Sequence, residues 1–163
     1  MINVILFSAL LISFITDVRE RKIYNVITFP TMLIGLIFHT ITGGWDGFLY
    51  SFLGLLVGIG LLFIPYLLGG MGAGDVKLLG AIGALKGTLF VFQAFIVISI
   101  VGGLIAIVIL LSKKEFGFFF KKIMFTMKFR TLDGIEKEDM HHAFPYGVAI
   151  VIGTILYSGV GLV

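Results

Sequence analysis

Few ionisable side chains border the apolar stretches of this chain, and two carboxylates stand out among them. Asp17 opens the segment DVRERKIYN at 17–25, and Asp75 closes the glycine-rich run in GMGAGDVK at 70–77. Ionisable groups at membrane depth are costly and therefore mark candidate functional sites. Two carboxylates brought together against a low-dielectric wall cannot both ionise cheaply, so they tend to share a proton. Such a pair can act on water, one member as general base and the other as general acid toward a scissile carbonyl and its leaving amine. Gly69, Gly70, Gly72 and Gly74 permit backbone shapes closed to other residues and let an extended peptide come close. Lys77, two residues beyond Asp75, would stabilise negative charge there if the fold brings it near. Each feature alone has a plainer reading. Asp17 can be a helix-end charge paired with Arg19 or Arg21, and Asp75 a helix N-cap in a flexible turn.

The remaining polar residues carry less. His141 and His142 are adjacent, so on a helix they point about 100° apart and chelate poorly. No metal site is expected. His39 and Gln93 read as capped or bundle-facing polar groups. The pairs Gly54/Gly58 and Gly83/Gly87 have the spacing that lets helices pack tightly, within the chain rather than between copies. Pro65 is placed to kink a helix ahead of the glycine run. With no cysteine there is no disulfide, thiolate zinc site or cysteine nucleophile.

What must position the two aspartates is a set of membrane helices. Of 163 residues, 59% are hydrophobic and 13% charged, whereas a soluble domain is roughly 25% charged and about half apolar. A globule of this size has too little interior to hide that much hydrocarbon, so the excess faces lipid. This excludes a soluble enzyme, a disordered chain and a nucleic-acid-binding domain. Residues 2–16, 26–41, 47–74, 87–112 and 143–163 carry no Asp, Glu, Lys or Arg. A spanning helix needs about 20 apolar residues. The predicted fold is all-α, a single polytopic membrane domain over 1–163. Its six transmembrane helices fall at about 2–16, 26–41, 48–68, 77–89, 91–111 and 143–161. The short ones are tolerable where neighbours shelter them. Residues 1–16 lack the basic start of a secretory signal peptide and read as the first span.

With six spans, eleven of the twelve Lys and Arg residues fall on one face, most of them in the loop 112–142, and only Lys86 on the other. The basic face is expected to be cytoplasmic. The stretch FGFFFKKIMFTMKFR at 116–130 is expected to lie in that interface, phenylalanines in lipid and lysines at anionic headgroups. Between Asp17 and Asp75 the chain crosses twice, so both emerge on the same face.

The motifs resemble a known family. GAGDVK at 72–77 is similar to the GxGD signature of the type IV prepilin peptidases, which are intramembrane aspartyl proteases. DVRERKIYN at 17–25 resembles their other catalytic segment, an Asp followed by a basic stretch and Ile-Pro-Asn, with Tyr24 here in place of the proline and Asn25 as the expected cap of the next helix. FPYGVAI at 144–150 is similar to the Pro-Tyr-Gly that opens the family's last helix. The resemblance implies Asp17 and Asp75 as the catalytic pair, and Gly72 and Gly74, with Lys77 nearby, as the active-site loop. It also implies the short, peptidase-only branch, without the cysteine-bearing N-methyltransferase module, so methyl transfer from S-adenosylmethionine is not expected.

The function implied is removal of a short leader peptide, a class III signal, from a pilin, pseudopilin or archaellin precursor at the cytoplasmic face of the cell membrane. An archaeal preflagellin peptidase would share the mechanism. No cofactor is expected, because the aspartates activate water themselves, and the partners are the precursor and membrane lipid, with no nucleic acid. Two rivals use the same bundle: a small transporter with the aspartates as an ion or proton relay, and a non-catalytic pilus-assembly subunit.

Overall fold

A computed structural model describes residues 1–112 and 146–160. They form four helices: α1 (Ile2–Glu20), α2 (Asn25–Leu67), α3 (Ala73–Ser112) and α4 (Tyr146–Val160). The described residues are all-α as expected, and α1, α2 and residues Ala73–Val108 of α3 are each long and apolar enough to cross a membrane. Six separate spanning helices are not what the structure contains. The pairs expected at 26–41 with 48–68, and at 77–89 with 91–111, are each joined into one element of two helical arms that meet at a single non-helical glycine, Gly44 and Gly87 respectively. The loop expected at 42–47 is part of α2. The 112–142 loop with its aromatic and lysine-rich stretch, His141 and His142, and residues 143–145 lie outside the described residues, Ser112 apart.

Glycine explains how two predicted spans become one bent element. A straight helix of the 43 residues of α2 would be about 65 Å long, twice the hydrocarbon thickness of about 30 Å. Gly44 leaves helical geometry at φ 58, ψ −134, a left-handed conformation open to glycine. The chain then turns back on itself. A Cβ on Gly47 would fall 1.9 Å from the His39 carbonyl oxygen, a contact that residues eight apart on a straight helix cannot make. In α3 the break is at Gly87, φ 82, ψ 176, where the Tyr50 ring occupies the space a side chain would need. Pro65 lies in the last turn of α2, its carbonyl accepting the Gly70 N–H at 3.0 Å, while the departure from helical geometry in α2 is at Gly44.

The break at Gly87 ends a helical arm, whose last carbonyls find no partner within the arm. Side chains of α2 provide partners instead. Ser51 Oγ donates to the Ala84 carbonyl at 2.7 Å, His39 Nε2 meets the Leu85 carbonyl at 3.0 Å, and the Tyr50 hydroxyl donates to the Lys86 carbonyl. Because a carbonyl only accepts, His39 carries its proton on Nε2. Thus His39 is the bundle-facing cap its position suggested. Gln93 likewise faces a neighbour, accepting the Tyr157 hydroxyl of α4.

The first arm of α3 is the centre of the bundle. Every residue from Leu78 to Leu85 is buried, which is why this short arm can be apolar all round. The bent α2 packs on it through glycines. A Cβ on Gly35 would lie 2.7 Å from the Ala84 carbonyl oxygen, one on Gly54 2.1 Å from that of Gly83, and one on Gly58 2.4 Å from that of Leu79. The glycine pairs therefore serve packing within the chain. On the other side Gly153 of α4 meets Ile98 of the second arm. Outward-facing leucines and isoleucines such as Leu33, Leu53 and Leu104 remain exposed, an apolar surface suited to lipid. Lys86 marks one end of this bundle, donating to Asn3 Oδ1 at 2.8 Å. Asp17 lies fourteen residues further along α1, about 21 Å away at the opposite end.

Candidate active site

At that opposite end the three chain segments 17–25, 72–75 and 146–148 converge. Helix α1 closes with Arg21 in a left-handed conformation (φ 52, ψ 37), its N–H bonded to the Asp17 carbonyl at 2.9 Å. Glycine usually fills such a C-terminal cap. Arg21 holds it here, and its charge acts on the Asp17 carboxylate. The chain then runs through Ile23 and enters α2 at Tyr24, whose extended φ −80, ψ 141 is a backbone that proline also favours. Asn25 is the first helical residue rather than the cap. Tyr24 folds back to donate its hydroxyl to Glu20.

Asp17 is a helical residue with only 5% of its surface exposed. Its Oδ2 accepts the Val148 N–H at 3.1 Å. That N–H belongs to the first turn of α4, where helix geometry leaves donors without internal partners and favours negative charge. The carboxylate lies against the bare Cα of Gly147, where a Cβ would stand 2.6 Å from Asp17 Oδ2. Asp17 is therefore a buried carboxylate on which the Arg21 charge acts, rather than a plain surface charge.

Asp75 is the third residue of α3 and 8% exposed. Its Oδ2 reaches back to accept the Gly72 N–H at 3.1 Å, while the Asp75 N–H donates to the Gly72 carbonyl at 3.2 Å. This is the back-reaching half of a capping box, so Asp75 supports the helix start without being its N-cap residue. The charge of Asp17 acts on Asp75. Both line one cavity of about 310 Å³ together with Arg21, Lys22, Ile23, Tyr24, Asn25, Gly72, Ala73 and Gly74. Among the described residues, no group of three or more His, Asp or Glu side chains is placed to hold a metal ion.

The structure separates the two loop glycines. Neither has a left-handed backbone; within this run that belongs to Gly69, φ 75. A Cβ on Gly72 would meet Asp75 Oδ2 at an ordinary 3.5 Å, whereas one on Gly74 would stand 2.9 Å from Ile23 Cβ and 3.1 Å from the Ile23 carbonyl oxygen. Gly74 therefore lets the start of α3 close onto the turn that follows Asp17. Lys77 does not itself line the cavity. Its Nζ donates to Asn25 Oδ1 at 2.9 Å and stands 5.2 Å from the centre of the Phe29 ring, tying the start of α3 to the start of α2. The seat of Asp17 on Gly147 and Val148 was not legible as a role, although FPYGVAI contained both residues.

A sequence model of the type IV leader peptidase family matches residues 4–107. The chain belongs to this family. No curated protein and no solved structure matches it. The matched stretch holds both aspartates and ends before α4, so the leader-peptidase signature and the helix that seats Asp17 are separate parts of the chain. For a leader peptidase built this way, Gly74→Ala should lower the cleavage rate about 100-fold, because a shift of about 1 Å in a reacting group has that effect. Gly72→Ala, whose Cβ would meet Asp75 Oδ2 only at 3.5 Å, should lose much less than Gly74→Ala. Single-turnover cleavage by the two variants, side by side, checks this; equal losses would show that Gly74 does not govern the approach of the two segments.

Proposed function

We propose that this chain is an aspartic-type endopeptidase that removes the short leader from pilin-like precursors, with Asp17 and Asp75 as the catalytic pair. The single observation that carries this reading is the convergence of the two buried carboxylates on one cavity, in a chain of the leader peptidase family. An ionised carboxylate takes a proton from water as the oxygen attacks the scissile carbonyl carbon. The protonated partner hydrogen-bonds the carbonyl oxygen and then delivers its proton to the departing amine as the C–N bond breaks. The water is split between the new carboxyl and amino ends, and the pair is left with one proton, as it began. The backbone donors at Val148 and Gly72 each occupy one carboxylate oxygen, which holds the pair in a fixed orientation for this work.

In this reading the cavity opens at the cytoplasmic face of the cell membrane. Among the described residues, Arg19, Arg21 and Lys22 lie at its end of the bundle and Lys86 at the other, in the sense of the positive-inside rule. The precursor's apolar helix would lie against the lipid-facing surface, its leader extended past Gly72 and Gly74. Gly74 and Lys77 act by closing and pinning the loop. The test is purified protein in detergent incubated with a pilin-like precursor, with the new N-terminus sequenced. A single cut between leader and apolar helix is expected. Ion flux in proteoliposomes without any cut would assign the aspartates to a transport relay instead.

A further inference from the structure

Asn25 belongs to two neighbourhoods at once. It lines the cavity beside the acidic pair, and its Oδ1 accepts a hydrogen bond from Lys77 Nζ at 2.9 Å. As the first residue of α2, exposed rather than packed away, its side chain is open to a molecule entering the cavity. Lys77 stays off the wall and half-buried, its ammonium seated against Asn25 and against the Phe29 ring. Residues 25 and 29 share one face of α2, so the ammonium is held at two points of that face. An ammonium only donates, while an amide carries its acceptor and its donors at different corners. The oxygen of Asn25 is therefore the corner turned to Lys77, and the NH2 group points away from it.

We propose that Asn25 is a substrate-binding residue, its Nδ2 donating to a main-chain carbonyl of the extended precursor, with Lys77 as the positioning residue that turns the amide that way. A peptide entering the cavity gives up water at its carbonyls and needs donors in return. Several donors of this wall are committed within the protein: the Gly72 N–H to Asp75, the Arg21 N–H to the Asp17 carbonyl and the Tyr24 hydroxyl to Glu20. Asn25 supplies a neutral donor without placing a third carboxylate beside Asp17 and Asp75. An ionised aspartate at 25 would satisfy Lys77 but carry no donor. A bond to the precursor's main chain holds substrate and transition state alike, so its effect falls on KM rather than kcat.

This inference rests on the proposed protease reading, and the experiment separates the two. In steady-state cleavage of a pilin-like precursor, Asn25→Ala should raise KM about fivefold, the effect of one neutral hydrogen bond, with kcat within about twofold. Its melting temperature in detergent should be unchanged. Lys77→Met keeps an apolar stem on Phe29 but frees the amide to rotate, and should raise KM by less. The double variant should match Asn25→Ala, because Lys77 acts through the amide that is gone. Wild-type KM in Asn25→Ala, or a loss that appears in kcat and melting temperature instead, overturns the donor role and leaves Asn25 a tie between α2 and α3. A KM effect of Lys77→Met that multiplies in full with that of Asn25→Ala overturns positioning by Lys77. Asp17→Asn and Asp75→Asn run beside them report on the parent reading: if they still cut, the acidic pair itself is wrong. If they are inactive and Asn25→Ala is not impaired, only the roles of Asn25 and Lys77 fall.

Discussion

Asp17→Asn and Asp75→Asn should each reduce precursor cleavage by about 1,000-fold or more, at the upper end of what a proton-transfer group contributes. Asparagine keeps the shape of aspartate and an oxygen that accepts one hydrogen bond. The Val148 N–H can still be met at 17 and the Gly72 N–H at 75. The helix starts and the bundle are therefore retained, and what is lost is the ability to hold and release a proton. The double variant should be no worse than either single one by more than a small factor, because groups that act as a unit do not add. Cleavage by purified variants, with melting in detergent as the control for folding, decides it. A variant that cuts at the wild-type rate ends the assignment of that aspartate.

Gly83→Ala should be among the most destabilising single-methyl changes in the chain. Gly54 and Gly83 meet back to back: a Cβ on Gly83 would stand 2.0 Å from the Gly54 carbonyl oxygen, and one on Gly54 2.1 Å from that of Gly83. Backbone cannot swing aside as a flexible side chain can, so α2 and α3 must separate along their whole seam. Overpacking of this kind costs about 3 kcal/mol or more. Small residues drive helix association in membranes because close backbones gain dispersion contact that lipid does not offer. Gly60 is the control, since nothing lies within 4 Å of the Cβ it would gain; Gly60→Ala should leave stability unchanged or raise it by up to about 1 kcal/mol. Equal melting temperatures for the two variants would show that the Gly54–Gly83 approach does not hold the bundle.

The same seam shows how far the chain could be read without its fold. Glycines three or four apart on apolar stretches announced tight packing. What they packed against was not visible, because Gly54 and Gly83 are neighbours only once α2 has bent at Gly44. That bend also explains why the expected loop at 42–47 is reduced to a one-glycine break between two helical arms. One left-handed glycine reverses the chain without the polar turn that a loop reading requires. Lys77 does not line the cavity itself. Residues two apart on a helix point to different sides, so with Asp75 facing the cavity, Lys77 meets Phe29 and reaches the cavity wall only through Asn25.

Hydropathy and charge placement were enough to determine that this is a helical membrane chain and that Asp17 and Asp75 come out at the same end, because both conclusions need only the cost of charge in lipid and a count of crossings. Membership in the leader peptidase family follows from local motifs, which survive in the order of residues. Which groups seat the carboxylates was decided by the tertiary structure alone. Val148 lies 131 residues from Asp17, and Ile23 and Gly74 touch across the whole of α2. Contacts of that range depend on how helices cross and bend, and no property of a single segment encodes them.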